Sequence, residues 1–324
     1  MNSLFIINQN DHTKSIKEVH LNLWMVGKER FLDIGLMLEP NQVIELYLPW
    51  NNAKIQDLYD IMLDVQVLNA IFNQHISINT DSGASHATVS RGKDNFDLIK
   101  VKDLNGENFK LLHSTGNNSA TKFTIEASKA TENEAYIRIR ARGFGENVFS
   151  KIKIGKDSFV NPYRETIEAI DFRVNEIRTV AQDAFKKTAL CIPTINKLHF
   201  FLLKDFQETN SLSSPPYDRC RELEDEAWEK YLGFKKNDKE AILAYHWKSE
   251  LREGGHFSVL ATFGWKKASM KVVLMYLAVI ISLNLIASAI YGFCTKTDNL
   301  NTTVQQPSIE ACKDLLSGCK KVIE

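Results

Sequence analysis

The sequence predicts an α+β protein: an N-terminal β-sandwich or open-barrel-like domain with one helix, a smaller mixed α/β domain, and one C-terminal transmembrane helix. Three observations carry this reading. Short apolar or alternating runs fill most of residues 1–160, a helical spacing of three and four interrupts them, and the chain loses every charge from Val272 to Phe293. At 1.5 Å per residue those roughly 22 positions make a helix of about 33 Å, which matches a hydrocarbon core of about 30 Å.

In the first domain, Val19–Val26, Phe31–Leu38 and Val43–Leu48 have strand length and are separated by turn residues. From Lys54 to Phe72 the apolar residues Ile55, Leu58, Met62, Val65, Leu68 and Phe72 fall along one helical stripe, so a single amphipathic helix is expected there. The Ser, Gly, Asn and Asp content of Ser77–Asn95 predicts a long polar loop. Strand patterns return at Phe96–Val101, Phe109–His113, Lys122–Ala127, Ala135–Ala141 and Val148–Ile154, with Gly143-Phe144-Gly145 read as a hairpin turn and not as a nucleotide loop, since no helix follows it.

The second domain is drawn over residues 161–265. Pro162, with Asn161 as a cap, predicts a long helix through Phe185, with Ile167, Ile170, Val174 and Ile177 on one side. Asn196–Asp205 reads as a strand, Tyr217–Leu232 as a helix stopped by Gly233, and Ala241–Ser249 with His256–Phe263 as a hairpin around Gly254-Gly255. Residues 266–271 form a basic linker, 272–293 the span, and 294–324 a short extracytoplasmic tail.

Forty basic and forty acidic residues balance to a formal charge of zero, so no global field draws the body to nucleic acid, and no nucleic-acid partner is expected. The N-terminus lacks the basic, apolar and small-residue regions of a signal peptide. Lys266, Lys267 and Lys271 precede the span while only Lys296 closely follows it; the richer flank places the large body in the cytoplasm, under the plasma (inner) membrane. Of the cysteines, Cys312 and Cys319 in the tail are the pair that could be bonded, given a chain reversal at Gly318.

The candidate ligand site is a basic strand face. Period two puts Arg138, Arg140 and Arg142 on one side and Ile137, Ile139 and Ala141 on the other, and Lys151 and Lys153 repeat the pattern; if the two strands pair, five cations share a surface for an anion or lipid head groups. A solvated face neutralised by Glu132 and Glu134 is the plainer alternative. His199, His246 and His256, with Cys191 and Cys220, show no metal-ligand or Cys-His spacing, so neither metal nor cofactor is expected; the acidic run Glu222 to Glu229 reads as a solvated face. In the span, Asn284, Ser288 and Tyr291 share a side, and Ser288 with Gly292 forms a small-x-x-x-small pair, a seam for homo-oligomers.

Without a catalytic motif, the expected function is a single-pass membrane-anchored sensor or adaptor whose cytosolic body binds a protein or a small anionic ligand. Two alternatives stand beside it: a membrane-perturbing effector that oligomerises through the span, and an enzyme with its site in residues 161–265.

Overall fold

The computed structural model describes residues 3–9, 14–80, 86–101, 109–112, 120–126, 133–155, 163–179, 192–223, 225–233, 241–268 and 270–298. The described parts of 3–155 and 165–267 form one compact unit, and the C-terminal helix belongs to a second.

Period two sets the framework of the first unit. The strands in chain order begin with β1 (Phe5–Asn8), β2 (Glu18–Val26), β3 (Glu29–Leu38), β4 (Val43–Leu48) and β5 (Lys54–Asp57). Two short helices follow, α1 (Tyr59–Met62) and α2 (Val65–Phe72), then β6 (Ile76–Asn79), β7 (His86–Arg91), β8 (Asp94–Ile99), β9 (Phe109–Leu112), β10 (Ala120–Glu126), β11 (Glu134–Arg142) and β12 (Ser150–Ile154). The remainder comprises β13 (Tyr163–Val174), β14 (Ile195–Asp205), β15 (Thr209–Ser214), β16 (Arg219–Glu222), α3 (Asp225–Leu232), β17 (Ile242–Leu251) and β18 (Phe257–Ala268).

A ten-stranded sheet, ordered β16-β17-β14-β2-β3-β11-β8-β7-β6 with β5 also on β11, is accompanied by two four-stranded sheets, β1-β4-β10-β9 and β12-β13-β18-β15. Alternate residues of the large sheet face two different layers. Val19, Leu21 and Leu23 of β2, Ile34 and Leu36 of β3, Ile137 and Ile139 of β11 and Phe200 of β14 share a buried core with Ile44, Phe123, Phe172 and Phe263 of the smaller sheets. Their neighbours Trp24, Phe31, Tyr136 and Leu203 face the other way and pack with Met62, Leu68, Trp228 and Tyr231 of the helices. The large sheet is thus covered by sheet on one face and by helix on the other.

Several expected elements are rearranged. The ten-stranded sheet draws β14, β16 and β17 from the expected second domain and β2, β3 and β11 from the first, so the division near residue 160 runs through one sheet. Over Tyr163–Val174 the helix expected from Pro162 is instead β13: Thr166, Glu168, Ile170 and Phe172 are buried while their neighbours are more exposed, a two-residue period that overrides the helical spacing of its isoleucines, and residues 180–185 of that expected helix lie outside the described residues. In Lys54–Phe72, Asp64 accepts from the Gln66 N–H at 2.8 Å and caps α2, so the stripe breaks into β5, α1 and α2. Of the loop expected over Ser77–Asn95, residues 81–85 lie outside the described residues and the rest is a strand ladder of β6, β7 and the start of β8, because Ala87 and Val89 alternate inward among its polar residues.

The two expected hairpins are crossovers. β11 and β12, and likewise β17 and β18, lie in different sheets. Gly143 serves the first crossing at φ +97°, where a Cβ would also stand 3.3 Å from the Asn52 carbonyl oxygen. Tyr217–Leu232 divides into β16 and α3.

Helix α4 (Met270–Asp298) contains 24 residues, Met270–Phe293, long and apolar enough to cross a membrane. Its large side chains, among them Leu277, Leu285 and Phe293, are exposed, as a bilayer-facing helix requires. Among the described residues the expected basic linker is part strand and part helix: Lys266 lies near the end of β18 and Lys271 in the first turn of α4.

Candidate functional site

Three adjacent strands build a cleft floor on the helix-side face. Glu18 and His20, two apart on β2, project together. Strand β14 runs parallel beside β2 in a register that sets His199 opposite His20, and β17 sets His246 opposite Phe201. Phe72 at the end of α2 and Arg91 at the end of β7 form a wall. The resulting cleft measures about 750 Å³, and no described side chain of α3 lines it.

The side chains form a chain of polar contacts. His20 Nε2 stands 2.9 Å from Glu18 Oε1, and His199 Nε2 stands 3.5 Å from the same oxygen. Arg91 donates to Glu18 Oε2 at 3.2 Å while its guanidinium lies over the Phe72 ring at 5.3 Å. The far nitrogens are also held: His20 Nδ1 lies 3.0 Å from the Tyr136 hydroxyl, and His199 Nδ1 lies 3.0 Å from His246 Nε2. His246 itself stacks on Phe201 at 4.2 Å.

Burial alone would raise the Glu18 carboxyl, but the hydrogen bond and charge of His20, and then Arg91, outweigh it and hold it well below the usual carboxylate range. Burial pushes all three imidazoles down, His199 to about 3 and His246 to about 4, the latter also by the charge of Lys248. At neutral pH the floor therefore carries an ionised carboxylate and three neutral imidazoles.

The rim is basic. Arg91, Lys197, Arg219, Arg221 and Lys248 line the cleft against only Glu18 and Asp94. Arg91 is tied to Glu18, and Arg221 donates to Asn73 Oδ1 at 3.3 Å. Lys197, Arg219 and Lys248 are exposed and have no ion-pair partner among the described residues. They are the cations available to an incoming anion.

The arginines named from the sequence lie elsewhere. Arg138 and Arg140 do share the face that period two assigns them, but they are buried under α3 and not solvated. Arg140 meets Asp33 with Nε to Oδ1 at 2.7 Å and Nη2 to Oδ2 at 3.2 Å; Tyr231 and Trp24 donate to Asp33 Oδ2 at 2.6 and 2.9 Å. Arg138 donates from Nε to the Tyr231 hydroxyl at 2.8 Å and from Nη1 to the Tyr136 hydroxyl at 3.0 Å. Arg142 is at the edge, paired with Glu29 at 3.1 Å. Lys151 and Lys153 are exposed on β12, which pairs with β13 and not with β11, so the five cations form no common surface through strand pairing.

A cavity of about 20 Å³ lies between the two groups, lined by His20, Asn22, Arg138 and Trp228. Asn22 Oδ1, Arg138 Nη2 and Trp228 Nε1 are buried there without a hydrogen-bond partner among the described residues. Asn284 and Ser288 are exposed on α4, as is Tyr291, and Gly292 follows in the next turn. Lys266 and Lys271 are exposed; the side chain of Lys267, and Cys312 and Cys319, lie outside the described residues. His256 is remote from the other histidines in its contacts, 3.7 Å from Glu176, and Cys191 lies outside the described residues.

Glu18, His20 and Arg91 were not singled out by sequence reasoning. The period-two spacing of Glu18 and His20 was a usable signal; their meeting with His199 depends on a register that no local pattern encodes. No protein-family model and no curated protein matches the chain.

Proposed function

We propose that this protein is a membrane-anchored sensor or adaptor whose cleft binds a small anionic ligand, with the body on the cytoplasmic side of the plasma (inner) membrane. The single observation that supports it is the cleft itself: three exposed cations without ion-pair partners among the described residues, Lys197, Arg219 and Lys248, stand over a floor of neutral imidazoles. Neutral imidazoles donate or accept hydrogen bonds without repelling an anion, and flanking cations supply the attraction. The membrane half rests on the span Met270–Phe293, and the cytoplasmic side on the lysines that precede it.

The test titrates the full chain, in detergent, with inorganic phosphate, sulfate and a dicarboxylate while heat and thermal midpoint are recorded. Saturable binding that weakens with salt and is lost in the Arg219→Ala, Lys248→Ala double variant is expected. A double variant that binds like the parent would sink the reading. One observation favours a second reading, chemistry at the same cleft: His199 and His246 meet, and their acidic neighbour is Glu18 and not the acidic run at Glu222–Glu229.

A further inference from the structure

We propose that Glu18, His20 and His199 bind one divalent transition-metal ion of the zinc class, with a coordination position left open to the cleft. One ligand atom from each residue lies within 4.8 Å of the other two. An ion with bonds of about 2.0–2.1 Å in tetrahedral geometry holds its ligand atoms about 3.3–3.4 Å apart. The two separations from Glu18 Oε1, 2.9 Å to His20 Nε2 and 3.5 Å to His199 Nε2, bracket that value, and the two imidazoles close the triangle within 4.8 Å.

The surroundings have the form of a metal site's supporting shell. Both imidazoles turn Nε2 toward one carboxylate oxygen, and both have Nδ1 held from behind, His20 by Tyr136 and His199 by His246. Such outer contacts fix the ring orientation that ligation needs. The ligands come from β2 and β14, neighbours in the interior of a ten-stranded sheet, so the site rests on rigid elements. Glu18 and His20 are buried and His199 is half-buried on the cleft side, which is where the fourth position opens.

Charge sets what fills that position. One carboxylate leaves a divalent ion with net positive charge, and Arg219 and Lys248 add to it, so the open position suits an anionic oxygen ligand such as phosphate. This anion half rests on the reading of the cleft given above; the metal half stands without it.

The experiment uses the full chain in detergent, purified with a tag that carries no histidine and stripped with a chelator. Co²⁺ titration is expected to give one ion per chain with the visible absorption of a low-coordinate site, displaced by one equivalent of Zn²⁺. His199→Gln, a change at the half-buried cleft-side ligand, is expected to abolish the absorption. Tyr136→Phe keeps all three ligands and should weaken Co²⁺ binding by about 10–100-fold, the usual effect of losing an outer-shell partner. Absence of stoichiometric Co²⁺ uptake by the parent, or a folded His199→Gln with an unchanged spectrum, overturns the metal site. Phosphate is then titrated into stripped and Zn²⁺-loaded protein, with tighter binding expected in the loaded form. Phosphate binding without metal uptake removes the metal half alone, and metal uptake without phosphate binding removes the anion half alone.

Discussion

Two polar clusters occupy the same face of the ten-stranded sheet, and they differ in what covers them. Around Asp33, helix α3 closes over the strands, and the carboxylate accepts hydrogen bonds from Arg140, Tyr231 and Trp24. Around Glu18 the end of α2 stands beside the strands through Phe72, and the carboxylate shares its surroundings with three imidazoles that border a cleft. Both use the residues that β2, β3, β11 and β14 turn away from the inter-sheet core. A charged side chain on this face is therefore architectural where its partners saturate it under a lid, and available to a ligand where the lid stops. The Tyr136 hydroxyl joins the two clusters, with His20 on one side and Arg138 on the other.

Breaking the sealed cluster should give the largest effect. Asp33→Ala leaves the Arg140 guanidinium buried and uncompensated and deprives Tyr231 and Trp24 of their acceptor. Removing one partner of a buried pair costs about 3–5 kcal/mol, so urea denaturation should show a large loss of stability or no folded protein at all. Gly35→Ala comes next. A Cβ there would lie 2.2 Å from the Tyr136 hydroxyl oxygen, so the ring must move or β3 must part from β11. Overpacking of this kind costs about 1–3 kcal/mol, and the displaced hydroxyl should also release His20. A Gly35→Ala protein of parental stability would mean that the two clusters are less tightly joined than their geometry indicates.

Tyr136→Phe sharpens the comparison more finely, because it deletes only the joining hydroxyl. Arg138 Nη1 and His20 Nδ1 each lose a partner in a buried setting, for about 1–3 kcal/mol in urea denaturation. The Asp33 cluster keeps its own bonds, so the protein should still fold cooperatively. A nitrogen-15 spectrum of the histidines should show the His20 Nδ1 resonance shifting, with Nε2 still held by Glu18, while His256 stays as it was.

What was legible in the sequence divides along the same line. Strands β2, β3, β4, β11 and β14 and the membrane-length helix announce themselves locally, through period two or an uncharged run. The arginine face of β11 was also legible as a face, since Arg138, Arg140 and Arg142 do alternate with Ile137 and Ile139. Its cover was not, because α3 arrives some ninety residues later, with Tyr231 donating to Asp33 across |i−j| of 198. Nor was the cleft, whose histidines reach one another only through the parallel pairing of β14 with β2 and the antiparallel pairing with β17. Spacing rules test ligands carried on one element; a site assembled across three strands leaves no spacing to find. Strand β13 was misread for a related reason: Ile167, Ile170, Val174 and Ile177 satisfy a helical stripe, while the burial of Glu168 that reveals the strand depends on Lys204, 2.8 Å away on β14.

The smallest structural effect is expected where the open cluster meets solvent. Lys248 follows His246 by two residues on β17, so both project from the same side of the strand, and Lys248 is exposed where His246 is half-buried. Its ammonium has no ion-pair partner among the described residues, and Lys248→Ala leaves no buried group unsatisfied. The thermal midpoint should therefore stay where it is. The ligand response should not: an attraction exerted over the rim is long-ranged and screened, so the variant should bind phosphate more weakly, and the difference should shrink as salt is raised. The same loss at every ionic strength would instead assign Lys248 a direct bond to the ligand, and a fall in midpoint would place it among the structural residues, with Arg140 and not with the cleft.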